Sequence, residues 1–146
     1  MYSNILIAIE HSDADRTVLD HVRQLATLTG AALLLVHVAD GWAARHYEEQ
    51  KLRDSEEMKE DRAYLERIAE DLSSQGFPTR TRLAMGDPAT QLIKVAQEER
   101  VDLIAMSTHG HRFINDLLRG STADRVRHSV EVPVLMIRAA KVQVRV

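Results

Sequence analysis

The chain has 146 residues, 45% apolar and 28% charged, which suits one domain with its own core. Its 19 basic and 22 acidic side chains leave a net charge of −3, so no bulk basic field draws nucleic acid. It has no cysteine, which excludes disulfides, thiol catalysis and thiolate metal sites and fits a cytoplasmic protein.

The pattern alternates strand and helix. Ile5-Leu-Ile-Ala-Ile9 is a short apolar run that predicts a strand buried on both faces. Ser12 and Asp13 are suited to cap a helix, and Asp15, three residues after Ser12, resembles a capping box. Val18, Leu19, Val22, Leu25 and Ala26 then share one helical face, and Gly30 ends the helix. Ala31 to Val38 reads as a second buried strand. Gly41 breaks it, and Trp42, His46 and Tyr47 follow without clean periodicity. From about Glu48 a charged, solvent-facing helix runs to near Gly76, with Leu65, Ile68, Ala69 and Leu72 as its apolar stripe.

Phe77 to Ala84 is a weaker strand. Asp87 as N-cap and Pro88 at the first helical position open the next helix, which buries Leu92, Ile93, Val95 and Ala96. Val101 to Met106 predicts a fourth buried strand, Ser121 to Val130 a fourth helix, and Val132 to Ile137 a fifth strand. Pro133 cannot donate to a ladder and marks an edge or a strand start. Five strands joined by helical crossovers predict an α/β domain: an open, twisted five-stranded parallel sheet with helices on both faces. No apolar run approaches the ~20 residues of a membrane span, and the start lacks the pattern of a signal peptide.

The most informative segment is Ser107-Thr-His-Gly110, followed after nine residues by Gly120-Ser121-Thr122. A glycine-bearing loop between a strand's C-terminal end and a helix N-terminus can surround an anion with backbone N–H groups. Gly110 and Gly120 allow close approach of main chain to ligand, and Ser121 and Thr122 add hydroxyls. The same pattern also serves as two turn glycines with a serine N-cap. The architecture favours the phosphate reading, because ligands of parallel sheets bind beyond the strands' C-terminal ends. Ala8 to Ser12, Val38 to Gly41 and Met106 to Gly110 all belong at that edge.

Taken together, Ile5-Leu-Ile-Ala-Ile-Glu10-x-Ser12, Leu35-Val-His37-Val38, Gly86-Asp-Pro-Ala89, Asp102-Leu-Ile-Ala-Met106-Ser-Thr-His-Gly110, Gly120-Ser121 and Val132-Pro-Val-Leu135 resemble the universal stress protein family. The likeness runs from Ile5 to Arg138. It implies a Rossmann-like, adenine nucleotide alpha hydrolase-like domain over residues 1–138, with 139–146 as a C-terminal tail. It implies a regulatory homodimer of the stress response that holds ATP, or another adenine nucleotide, across the sheet's C-terminal edge. Mg²⁺ would arrive with the phosphates rather than on protein ligands alone.

The nucleotide-binding branch of that family carries Gly-x2-Gly-x9-Gly-Ser/Thr; here Ser107 stands at the first glycine. Branches without the pattern do not bind ATP. By matching positions, Ala8, Ile9 and Val38 would meet adenine, and Glu10, with Ser12 nearby, the ribose. Met106 and Ser107 would border the ribose and α-phosphate. His109, Gly110, His111, Arg112, Gly120, Ser121 and Thr122 would face the phosphates, and Arg119 flanks them. Glu10 replaces the family's common Asp and carries one more methylene. Each position also has a plainer role, as strand end, core filler or solvated loop residue.

Two other readings compete. One is a scaffold dimer with a vestigial loop, supported by Ser107 and Glu10. The other is an enzyme, a slow ATPase or a nucleotidyl-transfer enzyme, for which His109 is the candidate acid–base group; no clear nucleophile–base pair stands in the sequence. The alternating tail Lys141-Val-Gln-Val-Arg-Val146 reads as an extended segment suited to pairing across a two-fold axis, or as a frayed terminus.

Overall fold

The computed structural model describes residues 1–40, 50–108 and 116–139, with side chains for 1–39, 56–108 and 122–139. The elements are β1 (Asn4–Ala8), α1 (Ala14–Thr29), β2 (Ala32–Asp40), α2 (Gln50–Ser74), β3 (Thr79–Gly86), α3 (Pro88–Glu98), β4 (Leu103–Ser107), α4 (Asp116–Ser129) and β5 (Val134–Ile137). The strands form one sheet in the order β3-β2-β1-β4-β5, every pairing parallel. The expected α/β architecture is what the chain adopts.

Burial explains why the strands read as unbroken apolar runs. Along β1 the side chains alternate between two cores. Ile5, Ile7 and Ile9 pack with Val18, Leu19 and Val22 of α1 and with Leu65 and Leu72 of α2. Leu6 and Ala8 pack with Leu92, Val95 and Ala96 of α3 and with Ala123 and Val126 of α4. A sheet covered by helices on both sides needs apolar side chains at every position of its central strands. Each such Ile or Leu, removed from water, stabilises the fold by about 1.5–3 kcal/mol.

Several element ends differ from the sequence reading for local reasons. β3 begins at Thr79 rather than Phe77. Phe77 N–H closes the end of α2 on the Leu72 carbonyl at 3.0 Å, and Pro78 has no N–H to offer. β4 begins at Leu103 rather than Val101, because Val101 N–H still reaches back to the Ala96 carbonyl of α3. Asp102 then accepts from the N–H groups of Ser3 and Asn4 at 2.7 and 3.0 Å, fixing where β1 meets β4. Pro133 falls just before β5, and its carbonyl accepts from Ile104 N–H, consistent with its reading as a strand start.

Two helix starts are corrected. Asp13 lies at the N-cap of α1 but makes no side-chain cap bond. Asp15 instead reaches back and accepts from the N–H groups of Glu10, His11 and Ser12 at 2.8, 2.9 and 3.1 Å. Helix α4 starts at Asp116, not at Ser121. An Asp suits the first turn through the helix dipole, and Leu117, Leu118 and Arg119 are good helix formers. Gly120 costs about 1 kcal/mol in a helix relative to Ala, too little to stop that run. Gly120, Ser121 and Thr122 therefore lie inside α4, where each N–H is committed to the carbonyl four residues back. The helix start expected at Ser121 does not hold.

Candidate functional site

The strand order makes the site. The chain leaves β1 toward β2 on one side and returns through β4 on the other, so the sheet's switch point lies between β1 and β4. Above it opens a cavity of about 490 Å³. The end of β1 contributes Ala8, Ile9 and Glu10; β2 gives Val36, His37 and Val38; β4 gives Met106 and Ser107. Asp87, Pro88 and Leu92 close it from the start of α3, and Thr122 and Arg125 from α4.

Of the residues singled out in the sequence, the fold brings Ala8, Ile9, Glu10, Val38, Met106, Ser107 and Thr122 together around this cavity. Ser12 stands behind them, its hydroxyl donating to Glu10 Oε2 at 3.1 Å. Gly120 and Ser121 lie one helical turn or less before Thr122 in α4. His109, Gly110, His111 and Arg112 lie outside the described residues, as do Trp42, His46, Tyr47 and the tail from Lys141.

The turn carrying Glu10 is held rigidly. His11 adopts φ 64°, a left-handed conformation that His tolerates better than most residues. The three N–H bonds to Asp15 hold it there, and Tyr64 of α2 adds a fourth donor to the same carboxylate at 2.7 Å. Burial, and then this bond to Asp15, pushes the Tyr64 phenol well above its ordinary range. The His11 ring stacks on Tyr64 with centroids 4.0 Å apart, and its Nδ1 lies 2.7 Å from Asp61. On the far side of Asp61, His37 Nε2 lies 3.3 Å away, while His37 Nδ1 meets the Ile9 carbonyl at 2.7 Å. Both ring nitrogens of His37 thus face oxygens, and the ring is fixed at the cavity wall.

The opposite wall is charged. Asp87 caps α3 as expected, accepting from Thr90 N–H at 3.0 Å and Thr90 hydroxyl at 2.6 Å. It also pairs with Arg125 at 2.8 Å. Thr90 chiefly, and Arg125 after it, hold the Asp87 carboxyl below its usual range. Among the described residues no cluster of three or more His, Cys, Asp or Glu is arranged to hold a metal ion.

Sequence reasoning missed His37, Pro88, Leu92, Asp87 as a wall residue, and Arg125. Two signals were available. The start of α3 follows a strand and so opens at the same sheet edge. Arg125 lies three residues after Thr122, on the same helical face.

The comparisons with known proteins agree with this fold. The family model described as the universal stress protein family matches residues 1–138. Universal stress protein MJ0577 of Methanocaldococcus jannaschii is 26% identical over 155 residues, covering 94% of this chain and 96% of the relative. The solved structure of MJ0577 superposes with a TM-score of 0.86 at 28% identity, over 97% of this chain and 99% of that one. A universal stress protein of Thermus aquaticus is 31% identical over 143 residues, covering 94% of this chain and all of the relative. Two more distant universal stress protein structures, 20% and 21% identical with TM-scores of 0.73 and 0.65, are complexes with cAMP and with dAMP. No described helix is long and apolar enough to cross a membrane. On the family match over nearly its whole length, the chain belongs to the universal stress protein family.

Proposed function

We propose that this chain is a regulatory protein that binds ATP, or another adenine nucleotide, in the cavity above the β1–β4 switch point. The observation that carries the reading is the cavity's division of labour. Ile9, Val38, Leu92 and Met106 offer apolar walls for a base, while Glu10 offers a carboxylate for ribose hydroxyls. Ser107 and Thr122 offer hydroxyls toward the glycine-bearing segment, where the phosphates would lie. The adenine nucleotides in two fold relatives support the same ligand class.

Mg²⁺ enters this reading with the phosphates, held by them and by water. Occupancy, not turnover, is the output: the nucleotide state alters contacts with partners. A homodimer fits the sheet, since β5 is an edge strand whose outer side has no neighbour among the described strands.

The test is to denature freshly purified protein and identify any released nucleotide by chromatography with mass detection. An adenine nucleotide near one per chain supports the reading. An empty protein that also shows no heat on calorimetric titration with ATP and Mg²⁺ overturns it and leaves the scaffold alternative.

A further inference from the structure

Among the described residues, the cavity's charges do not match the ligand proposed for it. Among the described residues that line it, Glu10 and Asp87 are carboxylates and Arg125 is the one Arg or Lys. Among these described residues, a phosphorylated ligand meets two like charges and one permanent cation. That cation is already engaged: Arg125 Nη1 lies 2.8 Å from Asp87 Oδ2, and Nη2 lies 3.1 Å from Thr90 Oγ1.

We propose that Arg125, paired here with Asp87, is the phosphate-selecting residue of this site and transfers to a phosphoryl group when nucleotide binds. The proposal rests on the nucleotide reading above and names what within the site distinguishes a nucleotide from a nucleoside.

The exchange is physically easy. The Arg125 side chain is half exposed, and exposed ion pairs contribute little. Asp87 is not left bare when the arginine departs, because the Thr90 N–H and hydroxyl still donate to it. A phosphoryl group carries more charge than a carboxylate and accepts the guanidinium fork in a bidentate way. Arg125 and Thr122 share one face of α4, so guanidinium and hydroxyl address the same part of the cavity. Asp87 has the converse role. It competes with the ligand for the cation, which lowers affinity for any phosphate that cannot outbid a carboxylate.

The test compares dissociation constants for ATP and adenosine, at one Mg²⁺ concentration, in unmodified protein, Arg125→Gln and Asp87→Asn. Asparagine keeps the cap to Thr90 N–H while removing the competing charge. Arg125→Gln is expected to weaken ATP roughly three- to tenfold and leave adenosine within about twofold. Asp87→Asn is expected to tighten ATP several-fold with adenosine again unchanged. The ATP-to-adenosine ratio is internal to each protein, so a partly unfolded fraction cancels from it. Should Arg125→Gln fail to fold, Asp87→Asn carries the test alone. A ratio unchanged from unmodified protein in either folded variant overturns the proposal and leaves nucleotide binding intact. Failure of unmodified protein to bind ATP or adenosine overturns both.

Discussion

Tyr64 donates its phenol to Asp15 across 2.7 Å, and through that bond α2 is tied to the turn that carries Glu10 into the cavity. Asp15 is only 2% exposed and already accepts three backbone N–H groups. Its four donors come from one turn and one distant helix, so the carboxylate positions the cavity's β1 wall without entering the cavity.

Replacement of Tyr64 by Phe removes one donor and keeps the ring that stacks on His11. The expected loss is about 1 kcal/mol at neutral pH, read as a lower denaturation midpoint. The pH dependence has a definite sign. The phenol's folded pKa is raised above the ordinary value of about 10. Its contribution is therefore complete below pH ~10 and is lost as pH rises toward the folded value. The stability difference between unmodified and Tyr64→Phe protein should stay constant up to about pH 10 and shrink above it. A difference that holds constant through pH 11 would show that the phenol's proton is not linked to folding.

At the outer edge of β3, Arg80 and Arg82 reach Glu99 at 2.7 and 3.3 Å. The Arg80 hydrogen bond first, and the further charge of Arg82, hold the Glu99 carboxyl below its usual range. A depressed carboxylate pKa stabilises the fold above the unfolded value near 4.3, and that stability disappears as pH falls through the folded value. Glu99→Gln should therefore lower stability at pH 7 by less than about 1 kcal/mol, since the partners are partly exposed. Denaturant titrations of the two proteins are expected to differ at pH 7, and the difference to shrink as the pH is lowered through the acid range.

The three inner strands were legible because a sheet covered on both faces demands consecutive apolar residues, which Ile5 to Ile9, Ala31 to Val38 and Val101 to Met106 largely supply. The start of β3 was less so: Phe77 looks like a strand residue, but its N–H is used to close α2. Gly120-Ser121 reads as a helix cap in one dimension. The helix instead starts at Asp116, since one glycine does not outweigh the run before it. Arg125 illustrates the larger limit. Its pairing with Asp87 spans α3 and α4 and follows from how the two helices pack on one sheet face, information that no local pattern carries.

The position of Gly120 in α4 separates folding from binding. Gly120→Ala is expected to stabilise the protein by about 1 kcal/mol, the helix propensity difference, visible as a raised melting temperature. On the nucleotide reading proposed above, the bulkier Gly120→Val is expected to abolish nucleotide binding in a protein that remains folded. Affinity retained in Gly120→Val would remove that glycine from the site. A lowered melting temperature in Gly120→Ala would argue that the helix start at Asp116 does not persist in solution.

Val38 ends the β2 wall of the cavity and is only partly buried against the core beneath α3. A phenylalanine there would project its added volume into the open cavity rather than into packed side chains, so the overpacking cost of roughly 1–3 kcal/mol seen in filled cores should be largely avoided. The ring would occupy the apolar space between Ile9, Leu92 and Met106 that a base requires. Val38→Phe should therefore bind neither ATP nor adenosine while unfolding cooperatively near the unmodified midpoint. Loss of adenosine binding matters most, because it separates the base-holding wall from the charged wall of Asp87 and Arg125. A Val38→Phe protein that still bound adenosine would move the base out of this cavity and require a different docking face for the ligand.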